Sequence, residues 1–293
     1  MPIYYYKKDK MLKLISTCVV VFASLTCLSQ NKPSYSLDTV QYKVLYSFKQ
    51  LMDTNNINNF YNEEMVLLIG KQFNVYKSLQ LDKYETELAN QLNTAANDIK
   101  AGKSPQYNLQ KLGRVTTNAF FKSTNNSFIY ITTELAYIKY LVEDNCPRIQ
   151  WKINNIQKTI KGFHCQNASG YFRGRTYEVW FTTEIPISSG PWKLFGLPGL
   201  ILEASDIKKQ VQFHFINLEK ATLKQIEIIK LPQYNKLLYR KDWIKLYKAY
   251  QEDPMSFLQN TLPAGVKVHV DINNKPLNAK AIFNNPIELP EKQ

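Results

Sequence analysis

GLPGLILEASDIKKQVQFHFINLE, residues 196–219, reads as two strands joined by a polar turn. In its second half Val211, Phe213 and Phe215 fall on one face and Gln212 and His214 on the other, the period of a half-buried strand. In its first half an apolar run, Leu200 to Leu202, leaves a glycine- and proline-rich approach and ends in Glu203 and Asp206. The same grammar extends outward. FIYITTE, LAYIKYLVE, IQWKI, KTIKGFHC and GRTYEVWFTTE are short strand candidates between polar turns, which argues for an antiparallel sheet or open barrel. Nearer the start, SYSLDTVQYKVLYSF alternates at Val40, Tyr42, Val44, Tyr46 and Phe48, and EEMVLLIGKQFNVYKS supplies another strand or two.

Two segments have helical spacing instead. Leu81, Tyr84, Leu88, Leu92, Ala95 and Ile99 recur at steps of three and four, so an amphipathic helix is expected over Leu81 to Lys100. Trp243, Leu246, Tyr247 and Tyr250 predict a second over Asp242 to Asn260, with Asp242 as cap and Pro254 as break. GVKVHVDINNKPL reads as a last hairpin turning at Asn273 and Asn274. The fold class expected is mainly β (α+β): a curved antiparallel sheet or open half-barrel with two amphipathic helices packed on it. No composition shift divides residues 30–293, so they are expected to form a single domain.

Residues 1–29 read as a signal peptide. Lys7, Lys8, Lys10 and Lys13 precede the apolar stretch Leu14 to Leu25 and a short polar step ending at Ser29, the order of a secretory leader. Met11 is an alternative start, and Cys27 an alternative lipidation site that Thr26 disfavours. The expected address is the periplasm, with outer-membrane association, and no later stretch is long enough to span a bilayer as a helix. The chain is basic, at +13, and residues 1–29 hold four lysines and one aspartate, leaving the remainder near +10. The lysines are scattered, so the charge reads as a solvated surface and no nucleic-acid partner is expected.

Cys146 and Cys165 lie outside the leader, and an even pair in an exported chain suggests a disulfide. A turn near Asn154 to Gln157 would set the two cysteines opposite each other on an antiparallel pair, close to bonding range.

CQNASGYFRGRTYEVWFTTEIPISSGPWKLFGLPGLILEASD, residues 165–206, resembles the GLPGLI family of exported proteins from Bacteroidetes-type bacteria. FRGR, EIPIS, GPWK and GLPGLIL stand in the family's order, and YKVLYSF, LLIGKQFNVYKS and NPIEL (Asn285–Leu289) extend the likeness along the chain. Cys146 departs from the pattern. The resemblance implies an export-linked factor of no established activity, with a TonB-linked outer-membrane receptor as an implied partner.

Within this segment Gly190, Pro191, Gly196, Leu197, Pro198 and Gly199 form a structural motif: tight turns that set strand register, or else a backbone lip around a ligand. Arg173 and Arg175, alternating with Tyr171, Tyr177 and Phe181, suit a carboxylate or phosphate; the alternative is a surface ladder paired with Glu178 or Glu184. Trp180 and Trp192 flank them as rim or core packing. Catalysis has thin support. His164, His214 and His269 lack ligand spacing, so no metal is expected, and no cofactor motif is present. The function expected is a binding or accessory protein taking an apolar or peptide ligand or a receptor. The alternatives are a hydrolase using Glu184 and Glu203 in one cleft, or a purely structural receptor partner.

Overall fold

A computed structural model describes residues 38–104, 114–124, 128–135, 138–145, 148–222, 227–231, 233–254, 256–257 and 284–289. The leader, Cys146 and the hairpin at Asn273–Asn274 lie outside the described residues. The main body is a twelve-stranded sheet made of two meanders. The first runs β2 (Tyr42–Leu51), β3 (Phe60–Ile69), β4 (Phe73–Ser78), β5 (Ala119–Ser123), β6 (Phe128–Leu135) and β7 (Ile138–Asn145). The second runs β8 (Lys152–Ile160), β9 (Phe163–Phe172), β10 (Arg175–Thr182), β11 (Leu200–Asp206) and β12 (Val211–Lys220). β12 pairs antiparallel with β2 and joins the meanders. A short strand, β14 (Lys236–Tyr239), adds in parallel to β7 at one edge. A separate two-stranded ribbon pairs β1 (Asp38–Thr39) with β13 (Ile228–Ile229).

The sheet is open and curved. Register shifts at Phe215/Asn217 and Trp180/Phe181 mark bulges, which bend a strand and raise its twist. The concave face holds the larger core. Val44, Tyr46 and Phe48 of β2, Tyr177, Val179 and Phe181 of β10, and Val211, Phe213 and Phe215 of β12 all point into it. Tyr46 reaches across this core and donates to the Ile201 carbonyl at 2.7 Å. The MVLLI run of β3 is buried throughout because both faces are covered. Met65, Leu67 and Ile69 face the main core, while Val66 and Leu68 face a smaller cluster with Val40, Leu81 and Ile229.

The two helices are α1 (Leu81–Lys100) and α2 (Arg240–Glu252). α2 lays Trp243, Tyr247 and Tyr250 into the concave core, with Trp243 5.4 Å from the Tyr140 ring. Its cap position is Tyr239, which makes no side-chain capping bond; Asp242 sits inside the first turn, where its charge suits the helix dipole. The stripe of α1 is only partly covered: Leu81 and Ala95 are buried and Leu92 is exposed. No helix among the described residues is long and apolar enough to cross a membrane.

The hairpin expected to turn near Asn154 turns elsewhere. β8 and β9 reverse at Lys161–Gly162, with φ of 46° and 93°, the double positive φ of a tight hairpin turn. The asparagine-rich step is a bulge inside β8, where Asn154 donates to Asn167 at 2.6 Å and Gln166 donates to the Asn154 carbonyl. Cys165 therefore faces Lys158 in register. Among the described residues it is a free, buried thiol, and Cys146, its expected disulfide partner, lies outside them. Burial pushes this thiol up to about 11, which leaves little thiolate at neutral pH. Alkylation of Cys165 is accordingly expected only in denaturant, without prior reduction; modification of the folded chain within minutes would show the thiol to be accessible.

Candidate functional site

The segment between β10 and β11, residues 183–199, leaves the sheet and folds back onto the concave core. Glycine is forced at Gly199, where an added Cβ would stand 2.0 Å from the Thr182 carbonyl oxygen. The return is fixed by the Ile201 amide donating to the Ser189 carbonyl, by Leu194 donating to Pro191, and by the Trp151 indole donating to the Phe195 carbonyl. Gly190, Pro191, Leu197 and Gly199 are buried, while Gly196 and Pro198 are exposed. The motif is thus a tightly tied crossover with a narrow exposed tip.

The arginines sit in separate settings. β9 and β10 reverse at Arg173–Gly174, both at positive φ. This turn breaks the alternation read from sequence, so Tyr171 is exposed while Tyr177 and Phe181 are buried. Neither arginine pairs with Glu178 or Glu184. Arg175 spends its five N–H donors within the chain, on Asp206, Gln210, Asn285 and the carbonyls of Pro286 and Ile287. Arg173 donates to Asp144 at 2.8 Å. Asp144 also takes the ammonium of Lys193 at 2.6 Å, and Lys193 bonds Glu288 at 2.5 Å. Arg240, at the start of α2, closes on Glu288 at 2.9 Å. Lys193 is wholly buried. Burial pushes the Glu288 carboxyl up, but Lys193, with Arg240 behind it, holds it well below the ordinary carboxylate range. This five-residue clasp ties β7, the β9–β10 turn, the 183–199 crossover, α2 and the 284–289 segment together. Sequence reading missed Asp144, Lys193 and Glu288 as a set. Lys193 and Glu288 stand in the GPWK and NPIEL motifs, yet nothing local signals a pairing across 95 residues.

The two tryptophans do not meet. Trp180 is half-buried at the margin of the main core, with the Lys158 ammonium 4.4 Å from its ring centre. Trp192 is buried in the concave core against Phe172 and Tyr177. Beside it, under the crossover, lies a small void of about 10 Å³, room for about one water. Leu67, Phe120, Leu194 and Phe195 form its apolar walls, and Asn74, Tyr76, Lys122, Ser189 and Trp192 its polar ones. The Asn74 side-chain amide donates to Ser189. Asn74 Oδ1, Tyr76 Oη and Trp192 Nε1 are buried without a hydrogen-bond partner among the described residues.

Glu184 and Glu203 have their own partners. Glu184 accepts from the His164 backbone amide and imidazole, which lowers its pKa. Glu203, contacted by His214 and bonded by Lys158, is held at about 2. Neither is kept protonated near neutral pH, as the general acid of a carboxylate pair must be.

A family model described as "Protein of unknown function (Porph_ging)" matches residues 173–203, the stretch from the Arg173 turn through the crossover to Glu203. No curated protein sequence matches the chain. Among solved structures, that of PNGF-II in its C2 crystal form is similar at 12% identity with a TM-score of 0.45, covering 73% of this chain and 33% of that one. Its P21 form gives 13% identity and a TM-score of 0.42, over 70% of this chain and 32% of that one. The chain therefore spans about a third of those structures.

Lys193→Met leaves Asp144 and Glu288 buried without their shared cation, and a loss of about 3–5 kcal/mol is expected. Because the Glu288 pKa is depressed in the folded chain, its contribution is full above the ordinary glutamate pKa and fades as pH falls. The stability gap between wild type and Lys193→Met, measured by urea unfolding, should therefore narrow from about pH 7 to about pH 4. A constant gap would mean that Lys193 acts through packing alone.

Proposed function

We propose that the protein is an exported periplasmic or outer-membrane-associated binding or accessory protein of the GLPGLI family, non-enzymatic, with the crossover at residues 183–199 as its working part. The crossover itself carries the reading: a tightly tied segment that presents Gly196 and Pro198 to solvent. The order FRGR, EIPIS, GPWK and GLPGLIL supports the family, and the basic-then-apolar leader supports the address. The exposed tip at Gly196 and Pro198 is the part of the crossover available to a receptor, and a TonB-linked outer-membrane receptor is the partner this reading favours. The arginines enter as scaffold, since Arg175 has its donors committed inside the chain.

Native mass spectrometry of the protein from its own envelope fraction, run beside the denatured sample, tests this. A reproducible extra mass lost on denaturation is expected. A bare chain that co-purifies with no envelope component would overturn the binding reading.

A further inference from the structure

The outer face of α2 is basic and poorly neutralised. Lys241, Lys245 and Lys248 fall at i, i+4 and i+7 with Ile244 among them, so helical spacing makes the four side chains neighbours. They lie opposite Trp243, Tyr247 and Tyr250, the buried face of the helix. All four are exposed, Ile244 at 45%. Among the described residues, Lys248 meets Glu252 at 3.7 Å with both side chains largely in solvent, a contact of little strength, and no ion pair is formed by Lys241 or Lys245. From Lys236 to Lys248 five basic residues stand against a single acid, Asp242. Exposed apolar side chains crowd into the same run. Of the ten large ones exposed among the described residues, Leu237, Tyr239 and Ile244 fall within eight positions. Each has a lysine or arginine next to it in sequence.

Charge alone would suit any acidic surface, and the apolar side chains narrow the choice. At a bilayer interface, apolar and tyrosine side chains enter the headgroup layer while lysine stems reach back to the phosphates. Lysines are flexible point charges, not the planar forks that fix one carboxylate or phosphate. They match a fluid array of headgroups better than a single positioned anion. We propose that the outer face of α2, with Tyr239 at its start, docks on a bilayer surface carrying anionic phospholipid headgroups. The assignment rests on the envelope address above and names the surface that meets the membrane. Trp243, Tyr247 and Tyr250 stay in the core throughout, so the contact is peripheral and the helix does not leave the sheet.

The test is co-sedimentation of the protein, purified from its own cells and washed free of lipid, with vesicles. One set is phosphatidylcholine alone and the other contains about one part in four of phosphatidylglycerol. Retention by the anionic vesicles is expected, falling as salt rises, with little on phosphatidylcholine. Lys241→Gln/Lys245→Gln/Lys248→Gln should weaken it about tenfold or more, and Tyr239→Ser/Ile244→Ser about threefold or more. All five positions are exposed, so both variants should keep the wild-type urea midpoint. Lys71→Gln/Lys103→Gln/Lys208→Gln removes the same charge from exposed positions elsewhere and should leave retention within about twofold. An equal loss in the two lysine sets, or none in the α2 set, overturns the docking face, as does equal retention by phosphatidylcholine alone. If the protein fractionates with the envelope while the vesicles fail to hold it, the α2 assignment falls and the functional reading stands. A protein found outside the envelope removes the address and this surface with it.

Discussion

The Lys193 ammonium, wholly buried between Asp144 and Glu288, is the contact on which the architecture turns. An open sheet of this width leaves its two flanks far apart along the strand order, with β7 near one edge and the β9–β10 turn near the other. Curvature brings them together, and the ion cluster holds them. Nonspecific apolar packing would tolerate several degrees of curl. Ion pairs in a dry interior do not, because a small separation leaves charge without compensation. The clasp thus reads as a device for geometry more than for net stability, since desolvating five ionised groups offsets much of their mutual attraction.

The clasp also explains why residues 284–289 matter to a fold whose last described helix ends at Glu252 and whose chain continues to helical residues 256–257. Asn285 bonds Leu51, Gln50 and Arg175, Leu289 donates to the Arg173 carbonyl, and Glu288 enters the cluster. A chain segment remote in sequence therefore closes the gap between the two meanders. Its contacts are to backbone as much as to side chains, so it acts as an irregular cross-brace between β2 and the β9–β10 turn.

Much of this was legible in the amino-acid pattern, where one periodicity ran long enough to speak. β12 shows its faces in Val211, Phe213 and Phe215, and α1 shows its bounds in the steps from Leu81 to Lys100. Reading failed where two forces gave the same letters. The asparagines of β8 look like a turn, but they hydrogen-bond across to β9 as a bulge, and the reversal came at Lys161–Gly162. That shift alone moved Cys165 out of the register that suggested a disulfide. β5, with its AFFKS, was too short and too apolar to show a period, and β9 hides a strand in QNASGY because its partners on both sides supply the order. The candidate site was half legible. The glycine–proline crossover announces itself, but Asp144, Asn74 and Tyr76 are ordinary strand residues until the curl brings them under it.

Trp192 and Lys193 show how the clasp and the void depend on each other. Trp192 holds a left-handed backbone, φ 55°, a conformation that costs a side-chain-bearing residue about 1–2 kcal/mol. Such strain persists only where the surroundings over-determine it. Here the next residue supplies the determination: Lys193 is fixed by two carboxylates, and Leu194 is tied back to Pro191. With Lys193 committed to the clasp, the left-handed step turns the indole toward Phe172, Tyr177 and the void. The wall of the void is then set by the ion cluster, and the left-handed step at Trp192 holds its indole in place.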